Sequence, residues 1–226
     1  MQFTYYGHAS FSVSLGAKHI LFDPFFTGNP SAKGVDIDTI KADYILITHG
    51  HGDHVADAVV IAKNTGATVV AAPEIVGWLN KQGVEKTHPI NHGGPVDFGF
   101  AKIRAVNATH SSGLPDGSYG GNPLGFVLTS AQGNFYYAGD TGLTMDMQLL
   151  PFWTRLNFAV LPIGGNYTMD AADAIIASEF IQCDKIIGVH YNTFDLIKID
   201  TEMATKLFTD KGKILLLPQP GTSIEI

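Results

Sequence analysis

The seven residues Thr48-His49-Gly50-His51-Gly52-Asp53-His54 put three imidazoles and a carboxylate within six positions, directly after the apolar run Tyr44-Ile45-Leu46-Ile47. Imidazole nitrogen and carboxylate oxygen are the ligands that suit zinc and similar divalent ions. The glycines between them let the backbone turn so that the side chains can point at one place. A leftover affinity tag would be terminal and contiguous, whereas this cluster is internal and interleaved. A buried strand that ends in a ligand-rich turn is where an α/β protein places its chemistry.

Three further strand-like runs end in residues of the same type. His110 follows Ala101–Ala108, His190 follows Lys185–Val189, and Asp140 follows the run Asn134–Gly139. One such case is chance; three, added to the first, describe one cleft at the end of a sheet.

The order H-x-H-x-D-H, a distant His, G-D-T and a last His resembles the metallo-β-lactamase superfamily, and the resemblance covers almost the whole chain. Within it, Leu21-Phe22-Asp23-Pro24-Phe25, His110-Ser111-Ser112-Gly113, Gly121–Phe126, Pro162–Gly165 and His190-Tyr191-Asn192-Thr193-Phe194 resemble a narrower branch. That branch is the family of metal-dependent hydrolases related to L-ascorbate-6-phosphate lactonase and N-acylphosphatidylethanolamine phospholipase D. The resemblance implies that His49, His51 and His110 hold one metal ion, that Asp53, His54 and His190 hold a second, and that Asp140 bridges them. It implies two divalent ions, zinc first, with manganese or iron also tolerated by this ligand set. A hydroxide shared by the ions would attack a carbonyl or phosphoryl centre, with Asp53, His8 and His190 as the candidate catalytic side chains. His51 in place of Glu disfavours the iron-redox branch, and the lack of an extended basic insertion disfavours the RNA-processing branch.

Around this centre several residues invite roles. Asp23, at a strand end before Pro24, is a candidate to accept the free N–H of a ligand histidine; a turn-forming Asp is the plain alternative. His8 follows Gly7 at a strand end, where it either faces the cleft as a proton donor or is a partly buried polar residue. His19, His88 and His92 read as surface or hydrogen-bonded structural residues. The segment Ser111–Pro123 holds four glycines, two prolines and Tyr119. Its composition suits a lid or substrate loop, with Ser111, Ser112, Tyr119 and Asn122 as contacts and Tyr191 beside His190 as a further one.

Composition bounds the rest. A chain of 226 residues with 45% hydrophobic and 15% charged residues can bury a sizeable core. The net charge of −7 argues against a nucleic-acid surface and against docking on anionic lipid. No apolar run approaches the ~20 residues a bilayer span needs, and the first residues read as a strand and not as a leader. A single cysteine, Cys183, rules out an internal disulfide framework and reads as a small buried hydrophobe. A cytoplasmic protein acting on a small molecule fits these features; homo-oligomerisation stays open.

The expected elements are strands at Met1–Tyr6, Ser10–Leu15, His19–Asp23, Tyr44–Thr48, Ala67–Ala71, Lys86–Ile90, Pro95–Phe98, Phe100–Ala108, Leu124–Thr129, Asn134–Ala138, Phe158–Pro162, Lys185–Val189 and Lys213–Leu217. Helices are expected at Val55–Thr65 with Gly66 as cap, from Pro73 to Gln82, at Asp146–Phe152, from Thr168 or Asp170 to Ile181, and at Thr201–Asp210. The order implies a four-layer αββα sandwich forming one metallo-β-lactamase-like domain over residues 1–226. The function this supports is a metal-dependent hydrolase of a small ester, lactone or phosphodiester. The alternatives are a metal-binding sensor or partner-binding module without turnover, and a nucleic-acid phosphodiesterase, which the charge disfavours.

Overall fold

The first strands, β1 (Gln2–Gly7) and β2 (Ser10–Leu15), alternate buried and half-exposed residues, so each offers one apolar face. Later strands, β4 (Tyr44–Leu46), β5 (Thr68–Ala71), β11 (Phe158–Pro162) and β12 (Lys185–Val189), are apolar and buried beyond their first residue, the pattern of strands covered on both faces. In the computed structural model, which describes residues 1–226, these strands form two seven-stranded sheets.

The first sheet adds β3 (Lys18–Phe22), β6 (Thr87–Pro89) and β14 (Thr222–Glu225), in the order β14-β1-β2-β3-β4-β5-β6. The second adds β7 (Val96–Asp97), β8 (Lys102–Asn107), β9 (Leu124–Ser130), β10 (Gly133–Tyr137) and β13 (Ile214–Leu216), in the order β13-β12-β11-β10-β9-β8-β7. Each sheet runs antiparallel on one side and parallel on the other. The parallel side needs helical crossovers, and these supply the outer layers.

Aromatic rings lock the two sheets face to face. Phe3, Phe11 and Phe22 stack along the first sheet, with centroids 4.9 and 4.5 Å apart, and meet the stacked Phe135 and Phe158 of the second edge-on. Such pairs contribute about 0.5–1.5 kcal/mol each beyond the area they bury. Outside the first sheet lie α2 (Ala58–Thr65) and α3 (Pro73–Lys81); outside the second lie α4 (Ala171–Phe180) and α5 (Thr201–Asp210). The layers are helix, sheet, sheet, helix, as the sequence order implies. The helix starts follow local chemistry: Pro73 occupies the first turn of α3, Asp170 accepts the Asp173 amide, and Asp200 accepts those of Glu202 and Met203.

Three local expectations change. The helix expected at Val55–Thr65 is broken in two, α1 (Gly52–Val55) and α2, with Asp57 between them. The buried Asp57 carboxylate turns away to accept the amides of Phe26 and Thr27 at 2.6 and 2.9 Å and the Thr27 hydroxyl at 2.6 Å. A periodic pattern cannot show a helix interrupted to serve a distant loop. The chain also does not close at the 213–217 strand: Thr222–Glu225 pairs with the edge of β1. Its residues are mostly exposed, so the segment carries little pattern of its own. The 146–152 helix is a 3₁₀ segment, Met145–Phe152, with Pro151 inside it.

The Asp57 bonds pin the segment that follows β3. Asp57→Ala would strand buried amides, and the expected loss is about 2–3 kcal/mol of stability. Urea titration measures it; an unchanged midpoint would show that water replaces the carboxylate without cost.

Candidate metal centre

Most ligand-type residues sit just past a strand end on one edge of the sandwich. Asp23 follows β3, His49 follows β4, His110 follows β8, Asp140 follows β10, His190 follows β12 and His8 follows β1. The one-turn α1 starts inside the motif itself and carries Asp53 and His54, with the His54 amide bonded to the His51 carbonyl at 2.9 Å.

These turns are tight enough to force unusual backbone. His8, Asp23 and His190 have φ values of +57°, +41° and +56°. A left-handed conformation at a non-glycine residue costs on the order of 1–3 kcal/mol and persists only where the surroundings impose it. Two glycines make the close approaches feasible. A Cβ at Gly139 would lie 2.8 Å from the Leu124 carbonyl oxygen and 2.9 Å from Thr48 Cβ, and one at Gly164 would run into the His190 carbonyl.

The side chains converge in three groups whose ligand atoms lie within 4.8 Å of one another: His49, His51 and His110; His8, Asp53, His54 and His190; and His49, His54 and Asp140. The first brings together His49, His51 and His110, and the second brings together Asp53, His54 and His190 with His8 added. Asp140 stands between them, with Oδ2 at 2.9 Å from His190 Nε2, 3.3 Å from His54 Nε2, 3.7 Å from His110 Nε2 and 4.0 Å from His49 Nε2.

Three of the histidines are held from behind. His54 Nδ1 donates to Asp23 Oδ2 at 2.9 Å. His49 Nδ1 lies 3.0 Å from Thr48 Oγ1, which itself donates to Asp23 Oδ2 at 2.7 Å. His51 Nε2 lies 3.2 Å from Ser111 Oγ. Each bond leaves the opposite ring nitrogen facing the centre, as a ligand histidine requires. Asp23 is wholly buried and also accepts the Thr48 amide at 2.8 Å and the Tyr137 hydroxyl at 2.7 Å. The plain turn-former is thus the smaller part of what Asp23 does.

The charges fit a cation. Burial pushes His49, His51 and His110 below the usual imidazole range, which keeps them neutral with free lone pairs. Burial works against the charged form of Asp140 too, but His190 and His54 outweigh it and hold its carboxyl well below the usual range. For His54, burial is outweighed by Asp140 and Asp23, and its pKa is raised well above normal. The shift at His54 reflects a negative field from Asp140 and Asp23 that favours positive charge at the centre. Two buried atoms at the centre, His54 Nε2 and Asp140 Oδ1, have no hydrogen-bond partner. Buried polar atoms are rarely left so, and a divalent ion is the partner that imidazole and carboxylate together suit.

His8 does not open to the cleft. It is wholly buried, with Nε2 3.0 Å from Asp53 Oδ2 and Nδ1 3.1 Å from Thr193 Oγ1. Burial lowers its pKa to about 4, against the pull of Asp53. Asp53 in turn is lowered below the usual carboxylate range: the His8 hydrogen bond and the nearby His54 overcome the effect of burial. The geometry makes His8 a holder of Asp53, with no nitrogen left for substrate.

A cleft of about 420 Å³ opens over this centre, walled by His51, Asp53, His110, Asp140 and His190 together with Ser111, Tyr167 and Phe194. Of the loop residues expected there, only Ser111 reaches it. Ser112 is buried and its Oγ accepts the Gly50 amide at 3.0 Å. Tyr119 is exposed and donates to Asn122 Oδ1 at 2.7 Å. Tyr191 is half-buried against the second sheet's outer core. The loop is a hydrogen-bonded hairpin: Gly120 N donates to Ser112 O at 2.7 Å and Leu114 N to Ser118 O at 2.8 Å, with Leu114 buried against Gly50. A glycine-rich composition reads as mobile, but a bonded ladder spends the same glycines on tight turns. Tyr167 and Phe194, which do wall the cleft, escaped the sequence reading. The available signal was an aromatic residue in a Gly-Gly-Asn-Tyr turn and one four residues past a ligand histidine.

His19, His88 and His92 lie away from the centre. His19 Nδ1 meets Ser14 Oγ at 3.1 Å, His88 packs on Phe98, and His92 Nε2 donates to the Pro123 carbonyl at 3.1 Å.

Residues 2–190 match the β-lactamase superfamily domain. The chain is 56% identical over 226 residues to a UPF0173 metal-dependent hydrolase of Flavobacterium johnsoniae, covering 100% of both chains. It is 45% identical to a UPF0173 metal-dependent hydrolase of Thermoplasma acidophilum, covering 100% of this chain and 99% of that one. The solved structure of a metallo hydrolase from Ignicoccus hospitalis superposes with a TM-score of 0.89 at 32% identity, covering 100% of this chain and 98% of that one.

Asp23→Asn would turn an amide N–H₂ or a weaker acceptor toward His54 and the Thr48 hydroxyl. The expected outcome is a 10–100-fold loss of metal affinity, read by competition with a chromogenic chelator. Affinity equal to that of the unaltered protein would show that Asp23 serves only the fold.

Proposed function

The chain belongs to the UPF0173 metal-dependent hydrolases of the β-lactamase superfamily, and from that footing we propose that it is a dinuclear hydrolase of a small ester, lactone or phosphodiester. His49, His51 and His110 would hold one ion, Asp53, His54 and His190 the other, and Asp140 would be shared. The observation that carries this reading is the ring arrangement: outer nitrogens tied back to Thr48, Ser111 and Asp23, inner nitrogens converging on a buried carboxylate with an unpartnered oxygen. Seven ligand side chains exceed what one tetrahedral ion accepts, and two repelling dications need a shared carboxylate between them. Zinc is our first choice, with manganese or iron next.

When bound, such ions acidify water toward a pKa of about 7 and polarise a carbonyl or phosphoryl oxygen. The chain's own groups supply the rest. Asp53, with part of its carboxylate open to the cleft, would accept a hydrogen bond from the attacking water and orient it. His8 fixes Asp53 for that task through the 3.0 Å bond. His190, whose Nε2 lies 2.9 Å from Asp140 Oδ2, would hold the second ion beside the shared carboxylate. Ser111 offers a hydroxyl at the wall of the cleft.

We take residues 1–226 as one catalytic unit, because both sheets contribute to the centre. No helix is long and apolar enough to cross a membrane. The lone buried cysteine suits a reducing cytoplasm, where we place the protein.

Reconstitution with excess zinc or manganese should bring the metal content to two ions per chain by elemental analysis. Turnover of a generic phosphodiester, lactone or ester should vanish on chelation and return with metal. A content that never exceeds one ion rejects the dinuclear centre, and full loading without turnover of any substrate favours a non-catalytic metal protein.

Asp140→Asn keeps the shape of the side chain but loses the charge that offsets the cations. Activity should fall on the order of a thousandfold, while the melting temperature of the metal-free form shifts only modestly. Near-normal turnover in this variant would remove Asp140 from the shared position.

A further inference from the structure

The cleft over the centre has eight wall residues, and five of them are the histidines and aspartates assigned to metal. Ser111, Tyr167 and Phe194 are the side chains left to meet the rest of a substrate: two aromatic rings, one of them a phenol, and the Ser111 hydroxyl. Tyr167 is 52% exposed and Phe194 40% exposed. Large apolar side chains left in water beside a cleft mark a surface awaiting a ligand. Both rings are presented by structure that holds them there. Tyr167 stands on a turn in which Asn166 has φ +57° and the Tyr167 amide donates to the Gly165 carbonyl at 2.7 Å. Phe194 rests its buried side on His8 and Phe25, with centroids 5.3 and 6.4 Å away, and leaves its other side free.

We propose that the substrate of this centre carries an apolar group, aromatic or bulky aliphatic, directly beside the scissile bond, and that Tyr167 and Phe194 receive that group. The proposal rests on the hydrolase reading given above. Positive charge for the reacting oxygen would come from the ions, so the protein's own walls need only the apolar contact. The rings discriminate by desolvating an apolar group, and the preference they give should be about tenfold or more, as for pockets that sort substrates by hydrocarbon size.

The test uses the full-length metal-loaded protein with 4-nitrophenyl phenylacetate against 4-nitrophenyl acetate, which share a leaving group. The expected kcat/KM ratio favours the phenylacetyl ester by about tenfold or more. In Tyr167→Ala with Phe194→Ala the ratio should fall to within about threefold, with metal content unchanged. No preference in the unaltered protein, or a preference that survives both substitutions, overturns the proposal. Saturation-transfer NMR with 4-phenylbutan-2-one, a neutral ketone that cannot be hydrolysed, decides the matter where neither ester turns over. Transfer to its phenyl ring that is lost in the double variant supports the proposal; absent transfer, or equal transfer in both proteins, overturns it. Failure of both esters and of bis(4-nitrophenyl) phosphate at full metal loading rejects the hydrolase reading, while the NMR result still decides the apolar subsite.

Discussion

A single buried carboxylate organises this molecule. Asp23 has no exposure to solvent, and it gathers the Thr48 amide and hydroxyl, the His54 ring and the Tyr137 hydroxyl. Burying an unpaired charge is expensive, so these donors are what makes Asp23 tolerable there. They also come from different parts of the fold: Thr48 from the end of β4, His54 from α1 and Tyr137 from β10 in the opposite sheet. The same bonds that satisfy one anion therefore fix the two ligand turns and tie the sheets together at the edge where the centre lies. Through Thr48 the influence reaches His49, so Asp23 sets the ring orientation of a histidine in each ligand group.

The second constraint is charge. Asp53 and Asp140 are held below the usual carboxylate range in largely buried surroundings, and His54, between Asp140 and Asp23, is held above the usual imidazole range. Neutral His49, His51 and His110 surround this core. An arrangement rich in carboxylates and imidazole lone pairs suits divalent ions. The strained backbone at His8, Asp23 and His190 belongs to the same account. The stacked phenylalanines between the sheets supply the rigid base against which those turns are bent.

The sandwich and the gathering of most of the His and Asp side chains at one sheet edge were legible because they rest on local signals. Apolar strands ended in His or Asp, and Gly66, Pro73 and Asp170 marked helix ends by chemistry that acts within a few residues. The misreadings share a cause. The break at Asp57 serves a loop thirty residues upstream. The strand Thr222–Glu225 exists because β1 offers an edge. The hairpin from Ser111 to Pro123 is ordered by the Gly50 amide and the space above it, neither of which its own composition reveals.

The sequence by itself determined the kind of chemistry: ligand types, their spacing and their placement after strands are properties of short segments, and each segment carries them alone. Only the tertiary structure decided the use of residues whose meaning depends on what faces them. His8 could be proton donor or structural until both its nitrogens met Asp53 and Thr193. Asp23 could be a turn former until His54 and Thr48 arrived from α1 and from the end of β4. Tyr167 and Phe194 gained significance only when folding brought two separate turns to one cleft and left their rings uncovered. Facing is a long-range property, because it is set by which strands become neighbours, and no local pattern encodes it.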